Sequence, residues 1–164
     1  MIPNAIPPKP GQESVWDYPR PARLEDSNKS IRIICNGILL AETTKAKRVL
    51  ETSHPPVYYL PSEDIKLEYL IETPKKTWCE WKGKCQYYDV SIGEKYIKNA
   101  AWRYLEPTPD FVTIQEYYAF YPSLMDACYV NDELVMSQPG DFYGGWITAD
   151  IVGPFKGSPG TMGW

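Results

Sequence analysis

The chain has 164 residues, of which 43% are hydrophobic and 23% charged, and a net charge of −4. That length suits one domain with a real core, since domains cluster near about 100–150 residues. Sixteen prolines and 23 aromatic residues argue against long helices and for strands, and a single histidine excludes a multi-histidine metal site and leaves one candidate for a histidine acid–base catalyst.

Residues 1–13 carry Pro3, Pro7, Pro8 and Pro10 and read as a flexible, extended arm. A single β domain is expected over residues 14–156, starting near Trp16, with a polar loop at Glu25–Ser30. Ile31–Cys35 and Ile38–Glu42 flank Asn36-Gly37, a pair suited to a type I′ hairpin because both turn residues need positive φ. Thr43–Thr52 places Ala46, Val49 and Leu50 at helical spacing, and a short helix and a third strand both fit. Val57–Leu60 is a strand stopped by Pro61. Ser62–Asp64 is a turn or a cap for a brief helical stretch around Ile65–Leu67. Trp78–Val90 is a strand pair broken near Lys82-Gly83-Lys84, and Ile92–Lys95 is a turn. Lys98–Tyr104 and Ile114–Tyr121 are further strands. Residues 157–164 form a glycine-rich tail that superficially resembles a phosphate loop but lacks the following helix and lysine. A flexible tail ending in an exposed Trp164, free to dock on a partner, is the expectation.

The charge is uneven. Residues 1–99 hold 15 basic and 13 acidic side chains, whereas residues 100–164 hold 2 and 8. The chain has no broad basic character, so a duplex nucleic acid partner is not expected. Locally, residues 75–98 interleave six lysines with Trp78, Trp81, Tyr87, Tyr88 and Tyr96. Such a run suits an anionic ring compound or a stacked nucleotide, and equally a solvated strand face with snorkelling lysines. Cys35, Cys79, Cys85 and Cys128 form no CxxC pair, and Cys79-x5-Cys85 is not a zinc-knuckle spacing. They read as reduced thiols. Met1–Pro10 has no signal-peptide core, and the longest apolar stretch, Ile31–Ala41, is interrupted and too short to span a bilayer. A cytoplasmic protein without membrane insertion is therefore expected.

A weak internal repeat runs through the chain. Ile34–Leu40 resembles Tyr129–Val135, with turns on Asn36-Gly37 and Asn131-Asp132. Tyr59–Ile65 is echoed by Trp146–Ile151, and Trp81-Lys82-Gly83 by Phe155-Lys156-Gly157, in the same order. The series is consistent with a duplicated β unit, in which a pocket at the pseudo-axis would draw on both halves. Limited turn chemistry is the competing explanation.

The ordered motifs Arg48–Glu51, His54–Asp64, Thr77–Gly83, Tyr87-Tyr88, Ala101–Tyr104 and Ala119–Pro122 resemble the domain of unknown function 427 family over about residues 30–135. The C-terminal run Gly145–Gly157 looks like the branch found in cyanobacteria and plant plastids. The resemblance implies a compact, tent-like antiparallel β domain, similar to the methionine sulfoxide reductase B and cereblon ligand-binding group. A nucleotidyltransferase-like label attaches to the family. This chain shows no Gly-Ser followed by an Asp-x-Asp pair and no Walker loop, the features that would hold a metal-bound triphosphate. Tent-fold relatives often hold zinc on paired CxxC knuckles. Their absence from this sequence leaves neither a structural zinc nor another cofactor expected.

Three constellations could carry chemistry. Cys79 and Lys82, joined by Tyr88, could form a nucleophilic or redox site with Cys85 as resolving partner. A small buried cysteine is the plainer account. Glu51 and Asp64 could pair as acid and base, or serve as structural ion-pair partners for Arg48. His54, beside Pro55-Pro56, reads as a turn residue. Finally, Tyr58, Tyr59, Trp78, Tyr88, Trp102, Tyr104 and Trp146 could wall a pocket, with Lys82 and Lys156 supplying charge, for an acidic or planar ligand. The leading expectation is thus an all-β domain that binds a small molecule or a protein through an aromatic, lysine-containing pocket. An enzyme using Cys79 and Lys82 on a small acidic substrate, and an assembly factor in a photosynthetic cell, are the alternatives.

Overall fold

The structure, a computed structural model, describes residues 4–140 and 142–164. Among them the chain is all-β, with mostly antiparallel pairing and helical structure only as short 3-10 turns. The strands are β1 (Glu13–Ser14), β2 (Arg23–Asp26), β3 (Ile31–Cys35), β4 (Ile38–Thr43), β5 (Lys47–Leu50), β6 (Val57–Pro61), β7 (Leu70–Cys79) and β8 (Gly83–Ile92). They continue with β9 (Lys95–Pro107), β10 (Tyr117–Phe120), β11 (Ala127–Val130), β12 (Glu133–Leu134), β13 (Met136–Ser137), β14 (Trp146–Ile147) and β15 (Ile151–Val152).

Seven strands form the main sheet in the order β2-β5-β6-β10-β9-β8-β7. A second sheet, β12-β11-β3-β4, covers one of its faces. Side chains alternate across a strand, so each strand of the main sheet serves two layers. Tyr58 and Leu60 of β6, Tyr88 and Val90 of β8 and Tyr118 and Phe120 of β10 join Ile31, Ile33, Leu40 and Cys128 in the core between the sheets. Their neighbours Tyr59, Tyr87 and Ala119 point the other way and join Val49, Trp102 and Tyr104 in a second apolar layer.

Local chemistry accounts for the elements. The Asn36-Gly37 turn forms as expected, with φ of 48° and 74°. The 43–52 ambiguity resolves as strand β5, which pairs with β2 and β6. The expected polar loop at 25–30 is shorter, because Glu25 and Asp26 extend β2 opposite Arg48 and Lys47 of β5. Opposite charges directly across a ladder favour that pairing. β9 runs well beyond the expected Lys98–Tyr104, since it matches β8 along most of its length.

The first echo of the internal repeat has a geometric counterpart. β3 and β11 pair antiparallel, with Ile33 opposite Cys128, Arg32 opposite Tyr129 and Ile34 opposite Ala127. Adding 95 to Ile33 gives Cys128, and the same offset maps Arg32–Tyr129 onto Ala127–Ile34. The two hairpins are therefore related by a local two-fold axis through the Ile33–Cys128 pair. The relation stops there: β6 lies inside the main sheet, whereas β14 pairs only with β13.

Both ends of the described chain lie against the domain. Of the arm read as flexible, residues 1–3 fall outside the described residues, while Ile6 N–H bonds Gly153 O at 3.0 Å and β1 pairs in parallel with β15. The Trp164 ring packs edge-on against Trp16 at 5.7 Å and is half-buried, in contrast to the expected exposed tail.

The clamp on the N-terminal segment is Arg48, 7% exposed. Its guanidinium donates to Glu13 at 2.7 Å and to Glu25 at 2.6 Å, and the Tyr18 hydroxyl also donates to Glu13. Burial alone would raise the Glu13 carboxyl, but the hydrogen bonds from Arg48 and Tyr18 outweigh it and hold it below its ordinary 4.5. Breaking a buried pair costs roughly 3–5 kcal/mol. With both carboxylates about 40% exposed, solvent screening reduces this to about 1–3 kcal/mol. Arg48→Met should lower stability in urea melts by that amount. A depressed carboxylate stabilises the fold above its unfolded pKa and loses that contribution as pH falls through the folded one. The wild-type advantage should therefore shrink below about pH 4.5.

Candidate functional site

On the face of the main sheet away from the second sheet, the aromatic layer opens into a cavity of about 420 Å³. Tyr59, Trp102 and Tyr104 form its floor, with Trp102 Nε1 donating to the Tyr59 hydroxyl at 3.2 Å and the Trp102 ring 4.6 Å from that of Tyr121. Cys79 and Trp78, from the end of β7, lie along one side. Glu51 and His54, from the β5–β6 turn, lie along another. Gln138, Phe142, Tyr143, Gly144 and Lys156 complete the walls.

Two lysines converge here. Lys82 Nζ sits 5.8 Å from the centre of the Tyr104 ring and Lys156 Nζ 5.7 Å from that of Tyr143. Among the described residues neither has a carboxylate within 4 Å. Each is followed by a glycine with positive φ, 109° at Gly83 and 138° at Gly157. A Cβ at Gly83 would collide with the carbonyl of Glu106, and one at Gly157 with that of Pro139. The aromatic-Lys-Gly echo thus marks two tight backbone turns that deliver ammonium groups to one cavity.

His54 closes the turn with its N–H on Glu51 O at 3.0 Å, as expected of a turn residue, and its ring also lines the cavity. The imidazole stacks edge-on against Tyr143, receives Gln138 at Nδ1 (3.0 Å) and turns Nε2 toward Glu51 Oε2 at 3.6 Å. Burial, with the positive charges of Lys156, Lys82 and Arg20, lowers its pKa to about 4.

The cavity gathers Tyr59, Trp78, Cys79, Lys82, Trp102, Tyr104 and Glu51 from the residues singled out in the sequence. Four others lie elsewhere. Tyr58 and Trp146 stack on each other in the core, centroids 5.1 Å apart. Tyr88 is 6% exposed in the same core and accepts from Arg103 at 2.9 Å. Asp64 accepts from Thr43 at 2.7 Å and does not join Glu51. The proposed thiol pair is also unequal: Cys79 borders the cavity, while burial raises Cys85 to about 11, disfavouring its thiolate. Gln138 and Tyr143 carry no motif and were not legible.

A wider depression of about 790 Å³ surrounds Arg48. Its charges pair with each other, Lys29 with Asp150 and Arg48 with Glu13 and Glu25. Among the described residues it presents no comparable free ammonium pair.

A family model described as Domain of unknown function (DUF427) matches residues 23–131. The chain belongs to this family. No curated protein matches it. The DUF427 segment contributes Glu51, His54, Lys82 and the aromatic floor, while Gln138, Tyr143 and Lys156 lie beyond the match. Among the described residues of this DUF427 chain, no three His, Cys, Asp or Glu side chains converge to hold a metal, and no helix is long and apolar enough to cross a membrane.

Because the chain has one histidine, its imidazole can be followed without assignment. Its NMR titration should show a midpoint near 4 rather than the ordinary 6.5. The Lys156→Met variant should move that midpoint upward, since a positive neighbour is removed.

Proposed function

We propose that the cavity binds a small planar anion, such as an aromatic acid. The convergence of Lys82 and Lys156 over aromatic rings, with no carboxylate of the described residues within 4 Å, carries this reading. Aromatic floors favour flat apolar bodies, and ammonium groups held over rings favour negative charge at their tips. The volume lies within the range of small-molecule sites.

Hydrogen bonds to charged groups are worth about 1.5–3 kcal/mol. Tryptophan fluorescence titration with benzoate and phenyl phosphate, against neutral benzamide, tests the reading through Trp78 and Trp102. The anions should bind at least about 10-fold more tightly than benzamide, and Lys82→Met and Lys156→Met should each remove about 10- to 100-fold of that affinity. Equal affinity for acid and amide would refute it.

A second reading is favoured by Cys79, whose half-buried thiol borders the same cavity as Lys82. On this reading the bound acid is also a substrate, on which Cys79 and Lys82 act together. Iodoacetamide at neutral pH should then label Cys79 before the buried Cys35, Cys85 and Cys128, and benzoate should slow the labelling. Uniformly slow labelling would count against a nucleophile.

A further inference from the structure

Gln138 is 3% exposed, and two backbone groups of opposite polarity hold its amide. Gly145 N–H donates to Oε1 at 3.1 Å, and Nε2 donates to Lys156 O at 2.8 Å. Reversing the amide would set donor against donor and acceptor against acceptor, so its orientation is determined. Nε2 then presents its second N–H to His54 Nδ1 at 3.0 Å. A neutral imidazole that accepts at Nδ1 carries its proton on Nε2.

That N–H faces Glu51 Oε2 at 3.6 Å, too far for a hydrogen bond. Glu51 therefore meets the positive end of an N–H dipole, and no other side chain or backbone N–H of the described residues donates to its carboxylate. It is the only carboxylate among the described residues lining the cavity. Among the described residues, the other charges that act most strongly on His54 are positive: Lys156 beside Gln138, Lys82 from the β7–β8 turn and Arg20 from the N-terminal segment. Tyr143 packs on the ring from the remaining side.

We propose that the Gln138–His54–Glu51 chain is a specificity device. It reserves Glu51 as an acceptor, so that among planar anions the cavity selects those carrying a hydroxyl or amino donor, as hydroxy- and amino-substituted aromatic acids do. The inference rests on the anion reading above. Lys82 and Lys156 take the acid group, and Glu51 takes the donor. An unsubstituted acid leaves Glu51 stripped of water and unpartnered, which is the costly arrangement. Gln138 is a positioning residue, acting on the ligand only through His54 and Glu51.

Two measurements test this. The first needs no ligand: the single imidazole, labelled with ¹⁵N, should show a pyrrole-type Nε2 and a pyridine-type Nδ1 at pH 7. Gln138→Glu should raise the His54 midpoint by more than one pH unit and place a proton on Nδ1. A wild-type imidazole protonated at Nδ1 would overturn the proposal. The second compares benzoate with 3- and 4-hydroxybenzoate and 4-aminobenzoate by tryptophan fluorescence. At least one donor-bearing acid should bind about 10-fold or more tightly than benzoate, and Glu51→Leu should bring that ratio close to one. Glu51→Gln, which keeps the side-chain shape, should reduce the ratio if the leucine variant does not fold. Equal wild-type binding of all the acids would overturn the selection while leaving the anion reading intact. Binding of none would overturn both, whatever the imidazole spectrum shows.

Discussion

The structure depends on the alternation of side chains across one seven-stranded sheet. Its interior strands carry apolar groups on both faces, so one set builds the core between the sheets and the other a second apolar layer. The second sheet, with Ile31, Ile33 and Cys128, takes the first set. The second set packs with Phe111 and Ile114, and Tyr59, Trp102 and Tyr104 among it floor a cavity. A Tyr-Tyr pair in such a strand is therefore two residues with different fates. Tyr58 and Tyr88 hold the layers together, while Tyr59 and Tyr87 reach the cavity.

Closure of that cavity falls to segments distant in sequence. The β5–β6 turn brings Glu51 and His54, the β7–β8 turn brings Lys82, and the stretch after β13 brings Gln138 and Lys156. Lys156 N–H bonds Ser53 O at 2.9 Å, tying the last of these to the first. Gln138 then joins both through Lys156 O and His54 Nδ1. The acidic C-terminal third thus contributes one of its two basic residues, Lys156, to the wall of the cavity. Outside the family-matched segment, these residues give the DUF427 domain a wall that the match does not describe.

Much of the fold was legible because its signals are local. Asn36-Gly37 announces a hairpin, and proline and aromatic content disfavours long helices. Strand β5 was ambiguous because helical spacing and alternation coincide over four residues, and only pairing with β2 and β6 decides between them. Part of the site was legible for the same reason: the two aromatic-Lys-Gly turns are recognisable, and both lysines reach the cavity. Tyr58, Tyr88 and Trp146 were misplaced because composition shows an aromatic residue but not which face of its sheet is covered. Gln138 was invisible, since a glutamine acquires meaning only from the backbone groups around it. His54 was read as a turn residue, which it is. Its place in the cavity depends on a segment more than eighty residues away.

Native mass spectrometry of the gently purified protein, beside its Lys82→Met/Lys156→Met double variant, tests the central claim most directly. The expected result is a wild-type complex with a small anionic aromatic compound, either carried through purification or formed on adding 4-hydroxybenzoate, lost on unfolding and absent from the folded double variant. A wild-type protein that stays bare in saturating 4-hydroxybenzoate, or a double variant that retains the same adduct, would contradict it.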